Sequence, residues 1–210
     1  FLKSFCGKLQ TDGYGVYESL ARERGKDLIL IGCWAHARRG FHEALGEGRS
    51  AAWLVGQIAK LYAVEKQLRE QHAGPQLRAA VRAWQSRPIL ARLRRAMEVV
   101  RHRVLPKSLL GQAIDYTLAR WEALTRYVDD GRLEIDNNLC ENAIRPTAVG
   151  KKNFLFIGHP EAGQRSAVIY SVLGSCRRHG INPDEYLRDV FERLPKAKTS
   201  DVKDLTPAAW

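Results

Sequence analysis

Residues 27–34 (DLILIGCW) form a continuous apolar run closed by turn residues, and this run constrains the fold more than any other stretch. Its length and boundaries predict a buried strand. Upstream, residues 9–11 read as a short strand that ends in the turn pair Asp12-Gly13. Residues 14–24 then put Val16, Tyr17, Leu20 and Ala21 on one helical face, until Gly25 stops the helix. Residues 35–45 follow as a second helix, ended by Gly46 and Gly48. Strand, helix, strand, helix is the order of an α/β sheet.

The middle of the chain changes character. Residues 50–130 contain no convincing strand. Trp53, Leu54, Ile58, Leu61, Tyr62, Val64 and Leu68 recur at helical spacing. Further helices are expected over about 75–86, 89–104 and 107–128, with Pro75, Pro88 and Pro106 at the joints. This all-helical block reads as a bundle inserted into the α/β domain. Its arginines, among them Arg78, Arg82, Arg87, Arg92, Arg94, Arg95, Arg101 and Arg103, are either a DNA-facing surface or the solvated faces of helices. Beyond it, Asp136-Asn137-Asn138 offers side-chain oxygens to open a helix that Pro146 is expected to end. Residues 154–157 (FLFI) read as extended. Residues 162–179 form a helix stopped by Gly180, and Pro183-Asp184 opens a last one to about Leu194. The expected divisions are 1–48 and 132–158 for the α/β core, 49–131 for the helical insertion, 159–195 for a helical C-terminal region and 196–210 for a polar, poorly ordered tail.

The chain has 210 residues, 45% hydrophobic, enough to bury a core in one or two domains. Its apolar runs, such as 28–31 and 154–157, fall far short of the roughly 20 residues of a membrane span, and no signal-peptide pattern opens it. It begins with Phe, which leads to the expectation of a fragment or processed chain. Lys and Arg outnumber Asp and Glu by 34 to 23, giving a net charge of +11. Such a balance favours polyanions, since each neutralised phosphate releases counterions. The four cysteines (Cys6, Cys33, Cys140 and Cys176) stand far apart without a CxxC pair. Reduced thiols in a cytosolic protein are therefore expected, rather than a structural zinc site.

Two carboxylates stand out. Asp12 falls at the end of a strand, where ligands bind in open α/β sheets, and Gly13 leaves it uncovered; the plainer reading is a turn-forming Asp-Gly. Glu141 lies in the helix opened by Asp136, with Arg145 one turn on. Asn137, Asn138, Arg145, Lys151, Lys152 and Asn153 crowd phosphate-type donors around it. A carboxylate among so many cations suits a metal-dependent phosphodiester site. His36 either assists at that site, contacts DNA or caps the helix after the strand. Arg38 and Arg39, on the same helix, are expected phosphate contacts.

The segment Asp136-Asn137-Asn138-Leu139-Cys140-Glu141-Asn142-Ala143-Ile144-Arg145-Pro146, followed by Gly150-Lys151-Lys152-Asn153-Phe154-Leu155-Phe156, resembles the signature of the insertion-sequence-66 family of bacterial transposases. So do residues 9–14 (LQTDGY), residues 32–39 (GCWAHARR), and Tyr170-Ser171 with Asn182-Pro183 and Tyr186-Leu187 near the end. The resemblance implies an incomplete ribonuclease H-like α/β fold with a mostly helical insertion. It implies an Asp, Asp, Glu triad holding two Mg²⁺ or Mn²⁺ ions, with Asp12 as the second Asp and Glu141 as the Glu. No Asp precedes Asp12, so the chain is expected to lack the first carboxylate and to be inactive alone. Double-stranded DNA, both transposon ends and target, is the implied partner. A homo-oligomer in the active complex and a cytoplasmic, nucleoid-associated location in a bacterium are implied as well. The rival expectations are a nuclease of the same fold and a non-catalytic DNA-binding remnant.

Overall fold

The computed structural model of the chain describes Leu2 and residues 4–210. They form two compact units, Phe1–Asn138 and Leu139–Trp210.

The first unit opens with β1 (Gly7–Gln10), α1 (Gly15–Arg24) and β2 (Leu28–Ile31). The strands pair in parallel, Gly7 opposite Leu28 through Gln10 opposite Ile31, and Thr11 extends the ladder by donating its N–H to the Ile31 carbonyl at 2.9 Å. The helix that carries the chain back is what a parallel pair requires. Among the described residues the sheet has these two strands alone, so the unit is mostly helical and compatible with an α/β class. The strand expected over 27–34 is confined to its first half: Cys33 is already the residue that starts α2 (Trp34–Glu43), which packs Trp34, Ala37 and Phe41 inward.

The helical block follows as α3 (Arg49–Glu70), α4 (Pro75–Val81), α5 (Arg87–Arg101), α6 (Leu109–Ala119) and α7 (Trp121–Thr125). It shares one core with α2 instead of forming a separate bundle: Trp34 and Phe41 lie in the same buried cluster as Leu54, Ile58, Leu93, Met97 and Ile114. Trp34 donates its indole N–H to the Leu124 carbonyl at 2.7 Å and meets Trp121 edge to face. Glycines allow the closest approaches. A Cβ on Gly32 would come within 2.9 Å of the Leu124 side chain, and one on Gly131 within 1.8 Å of the Pro75 carbonyl oxygen.

Pro88 does not break the chain as expected. It sits inside a continuous helical run from Pro75 to Arg101, where a π-helical turn, Arg82–Ser86, joins α4 to α5 just ahead of it. The turn holds Arg82, fully buried. Arg82 uses all five N–H donors. Nε and Nη2 reach the two oxygens of Glu65, also fully buried, at 2.8 and 2.7 Å. The remaining three bonds go to the carbonyls of Tyr127, Asp130 and Leu133. Arg78 closes the cluster with bonds to Glu65 and Glu134. The arginines of the block thus divide three ways. Arg82 is core. Arg87, Arg94 and Arg101 are paired with Asp129, Glu98 and Asp115. Arg92, Arg95 and Arg103 have no ion pair among the described residues.

The second unit contains α8 (Asn138–Phe154, which begins at the last residue of the first unit), α9 (Pro160–Arg178) and α10 (Pro183–Arg193). Two expectations are corrected here. Pro146 does not end its helix: α8 runs eight residues past it. Proline removes one donor and crowds one carbonyl, and the helix tolerates that single defect. The extended segment expected over 154–157 finds no strand to pair with among the described residues; Leu155 takes a left-handed conformation at φ 60° and terminates the helix. The tail carries secondary structure too. It turns through two 3₁₀ segments, Leu194–Lys196 and Thr199–Leu205, and buries Leu205. Tyr186 donates its hydroxyl to the Leu205 carbonyl at 2.6 Å, and Trp210 stacks edge to face on Tyr186 while donating to Asp189 at 2.7 Å.

Candidate functional site

Asp12 lies just past the carboxyl end of β1, and the β2–α2 junction opens beside it at the end of β2. Both sit at the strand end where parallel sheets hold ligands. The Asp12 carboxylate is exposed; Oδ1 accepts the Tyr14 N–H at 3.0 Å, and no other donor or cation engages the carboxylate among the described residues. The turn is fixed from behind by α6. Tyr116 donates its hydroxyl to the Asp12 carbonyl at 2.7 Å, and Arg120 donates to the Gly13 carbonyl at 3.1 Å while stacking on the Tyr116 ring. Arg120 is itself held by Glu18 at 2.7 Å. Gly13 is required twice over: its φ is +88°, and a Cβ would fall 2.5 Å from Arg120 Nε.

Asp12, His36 and Arg39 line one cavity of about 330 Å³, with Glu43, Gln112 and Tyr116. His36 stands in the first turn of α2 with Nδ1 3.3 Å from Cys33 Sγ. Burial pushes the Cys33 thiol up, so it stays protonated at neutral pH and is a poor ligand as it stands. All four cysteines are free thiols. Arg38 does not line the cavity; it is exposed, and its charge is felt at Tyr62.

The Asp136 turn behaves as the sequence suggests. Its oxygens accept the Asn138 backbone N–H at 3.1 Å and side-chain amide at 2.9 Å, opening α8. Tyr62 on α3 donates its hydroxyl to the same carboxylate at 2.9 Å, and burial followed by the Asp136 charge pushes that phenol up. Asn138 therefore spends its amide on Asp136, and Asn137 turns its Oδ1 inward, buried without a hydrogen-bond partner among the described residues.

In the second unit, Glu141 is half-buried in the first turn of α8. Because α8 continues through Pro146, Arg145 and Lys152, four and eleven positions on, share the face of Glu141, and Lys151 lies a quarter-turn away. Arg145, Lys151 and Lys152 are exposed, with no side-chain hydrogen bond or ion pair among the described residues.

Sequence reasoning missed Tyr116, Arg120, Gln112 and Glu43. A signal for three of them was there: Gln112, Tyr116 and Arg120 fall four apart, on one face of α6 and the residue that caps it. Glu43 had none, being one more charged residue near a helix end.

A profile described as "Transposase IS66 family" matches residues 1–165, and one described as "IS66 C-terminal element" matches residues 171–208. The chain belongs to the IS66 transposase family. It is 36% identical to the uncharacterized protein y4jD of Sinorhizobium fredii (strain NBRC 101917 / NGR234), over 100% of this chain and 42% of that protein. It is also 37% identical to the uncharacterized protein y4qI of the same organism, over 98% of this chain and 39% of that one. The chain thus spans about two-fifths of the length of the curated relatives it matches. No solved structure matches it significantly. Among the described residues no helix is long and apolar enough to cross a membrane.

Proposed function

We propose that the chain is part of the catalytic domain of a DNA transposase, built on a ribonuclease H-like sheet, that cuts transposon ends and joins them to target DNA. The observation that carries the reading is Asp12: an open carboxylate at the end of a parallel strand, in a chain of the IS66 family. Asp12 and Glu141 are the carboxylates that bind Mg²⁺ or Mn²⁺, two ions in the complete site. The donor set suits them: one Asp12 oxygen is taken by the Tyr14 amide and the other is open, and hard cations prefer such oxygens. When bound, the ions would supply the positive charge that makes a water or a 3′-hydroxyl a better nucleophile and stabilises the leaving oxygen. The chain's own residues do the rest. Tyr116 and Arg120 hold the Asp12 turn in place. Arg145, Lys151 and Lys152 bind phosphates, with Arg38 and Arg39 as further contacts on α2, and His36 faces the cavity as an auxiliary group.

The test is a strand-transfer assay on a full-length protein carrying this chain, with labelled transposon ends and Mg²⁺ or Mn²⁺. Joined products are expected; nicked ends that never join would identify a nuclease instead. The chain itself should bind duplex DNA with little sequence preference, weakening steeply with salt. Lys151→Ala with Lys152→Ala should lower the slope of log K against log salt by about two. An unchanged slope would remove both lysines from the phosphate contacts.

A further inference from the structure

Outside the Asp12 cavity, α3 and α5 enclose a groove of about 610 Å³ with an apolar floor and a basic rim. Trp53, Val99 and Val100 form the floor, and Trp53 and Val99 remain 44% and 48% exposed. Arg49, Arg92 and Arg95 form the rim. No carboxylate lines the groove, and none of the three arginines has an ion pair or side-chain hydrogen bond among the described residues. Their neighbours on α5 behave otherwise: Arg87, Arg94 and Arg101 each hold a carboxylate. Uncompensated arginines around an exposed indole call for a ligand that is anionic along one edge and flat and apolar on another.

We propose that this groove binds single-stranded DNA, with a base on Trp53 and Val99 and the flanking phosphates on Arg49, Arg92 and Arg95. A duplex satisfies the arginines but keeps its bases stacked on one another and leaves the floor bare. An unpaired nucleotide offers both faces at once, and aromatic platforms beside cations bind such strands with little sequence preference. The inference rests on the reading of the chain as a DNA-handling protein and not on Asp12 or Glu141. It assigns the helical block the unpaired nucleotides that end cleavage exposes.

Fluorescence anisotropy of the whole chain with a labelled oligothymidylate about 15 nucleotides long tests it. Trp53→Ala should weaken that complex by roughly 5- to 100-fold while changing affinity for a duplex of equal length by less than about twofold. Trp53→Phe should keep most of the affinity, since a ring still stacks. Val99→Glu, at an exposed position, should close the groove and reproduce the loss without disturbing the fold. Unchanged oligothymidylate binding in Trp53→Ala or Val99→Glu, with melting intact, overturns the proposal. So does competition by polyglutamate as strong as by the oligonucleotide itself, which would make the groove a site for acidic peptides. A chain that binds duplex but not the oligothymidylate sinks this inference alone; one that binds neither sinks the DNA reading beneath it.

Discussion

Replacing Arg82 with Met should destabilise the chain by about 3–5 kcal/mol, because it strands the partner of a buried ion pair. Glu65 would keep a fully buried carboxylate with only the longer Arg78 contact, at 3.3 Å, to compensate it. The carbonyls of Tyr127, Asp130 and Leu133 would lose their donor in the same step. For a chain of this size the loss corresponds to a drop in Tm of roughly 10 °C, measurable by circular dichroism. The double change Arg82→Met with Glu65→Leu should recover much of it, since an apolar pair of similar volume removes the stranded charge. A single-variant shift below about 1 kcal/mol would mean that water reaches the pocket and that the cluster is not the clamp its geometry describes.

The second large effect is on chemistry rather than stability. In a full-length protein carrying this chain, Asp12→Asn should reduce metal-dependent end cleavage to the level of a reaction without protein. The amide keeps the shape of the carboxylate and its oxygen still accepts the Tyr14 N–H, but it gives up the charge that a divalent cation requires. Since Asp12 is exposed and unpaired with any cation among the described residues, stability should stay within about 0.5 kcal/mol of the parent. Duplex binding should persist, because the phosphate contacts lie on other residues. Glu141→Gln should lose cleavage in the same way. Cleavage by Asp12→Asn at the parent rate would remove this residue from the metal ligands.

What the sequence disclosed, and what it withheld, follows from how far each signal reaches. The strand-helix-strand opening was legible because an apolar run closed by turns and an amphipathic helix are local patterns. Asp12 and the Asp136 turn were legible for the same reason. The course of α8 was not. A proline is a local stop signal, but whether 147–154 continues as helix depends on whether 154–157 has a strand to pair with, and the sheet offers none among the described residues. The turns of the tail were not foreseen because they come with Trp210 meeting Tyr186, a contact invisible in a polar stretch. Arg82 counted as one arginine among many until the fold buried it opposite Glu65, seventeen positions earlier.

The unbroken course of α8 carries a mechanical consequence. Glu141, Arg145 and Lys152 are mounted on one shaft, so a twist about its axis turns all three through nearly the same angle. If Lys152 grips a phosphate as proposed, a pull on that DNA is transmitted along about 16 Å of helix to the carboxylate at the other end. A compliant point on that shaft is Pro146, where a rung of the hydrogen-bond ladder is missing. Under the proposed assignment, the proline is a flexure between Lys152 and the Glu141 carboxylate.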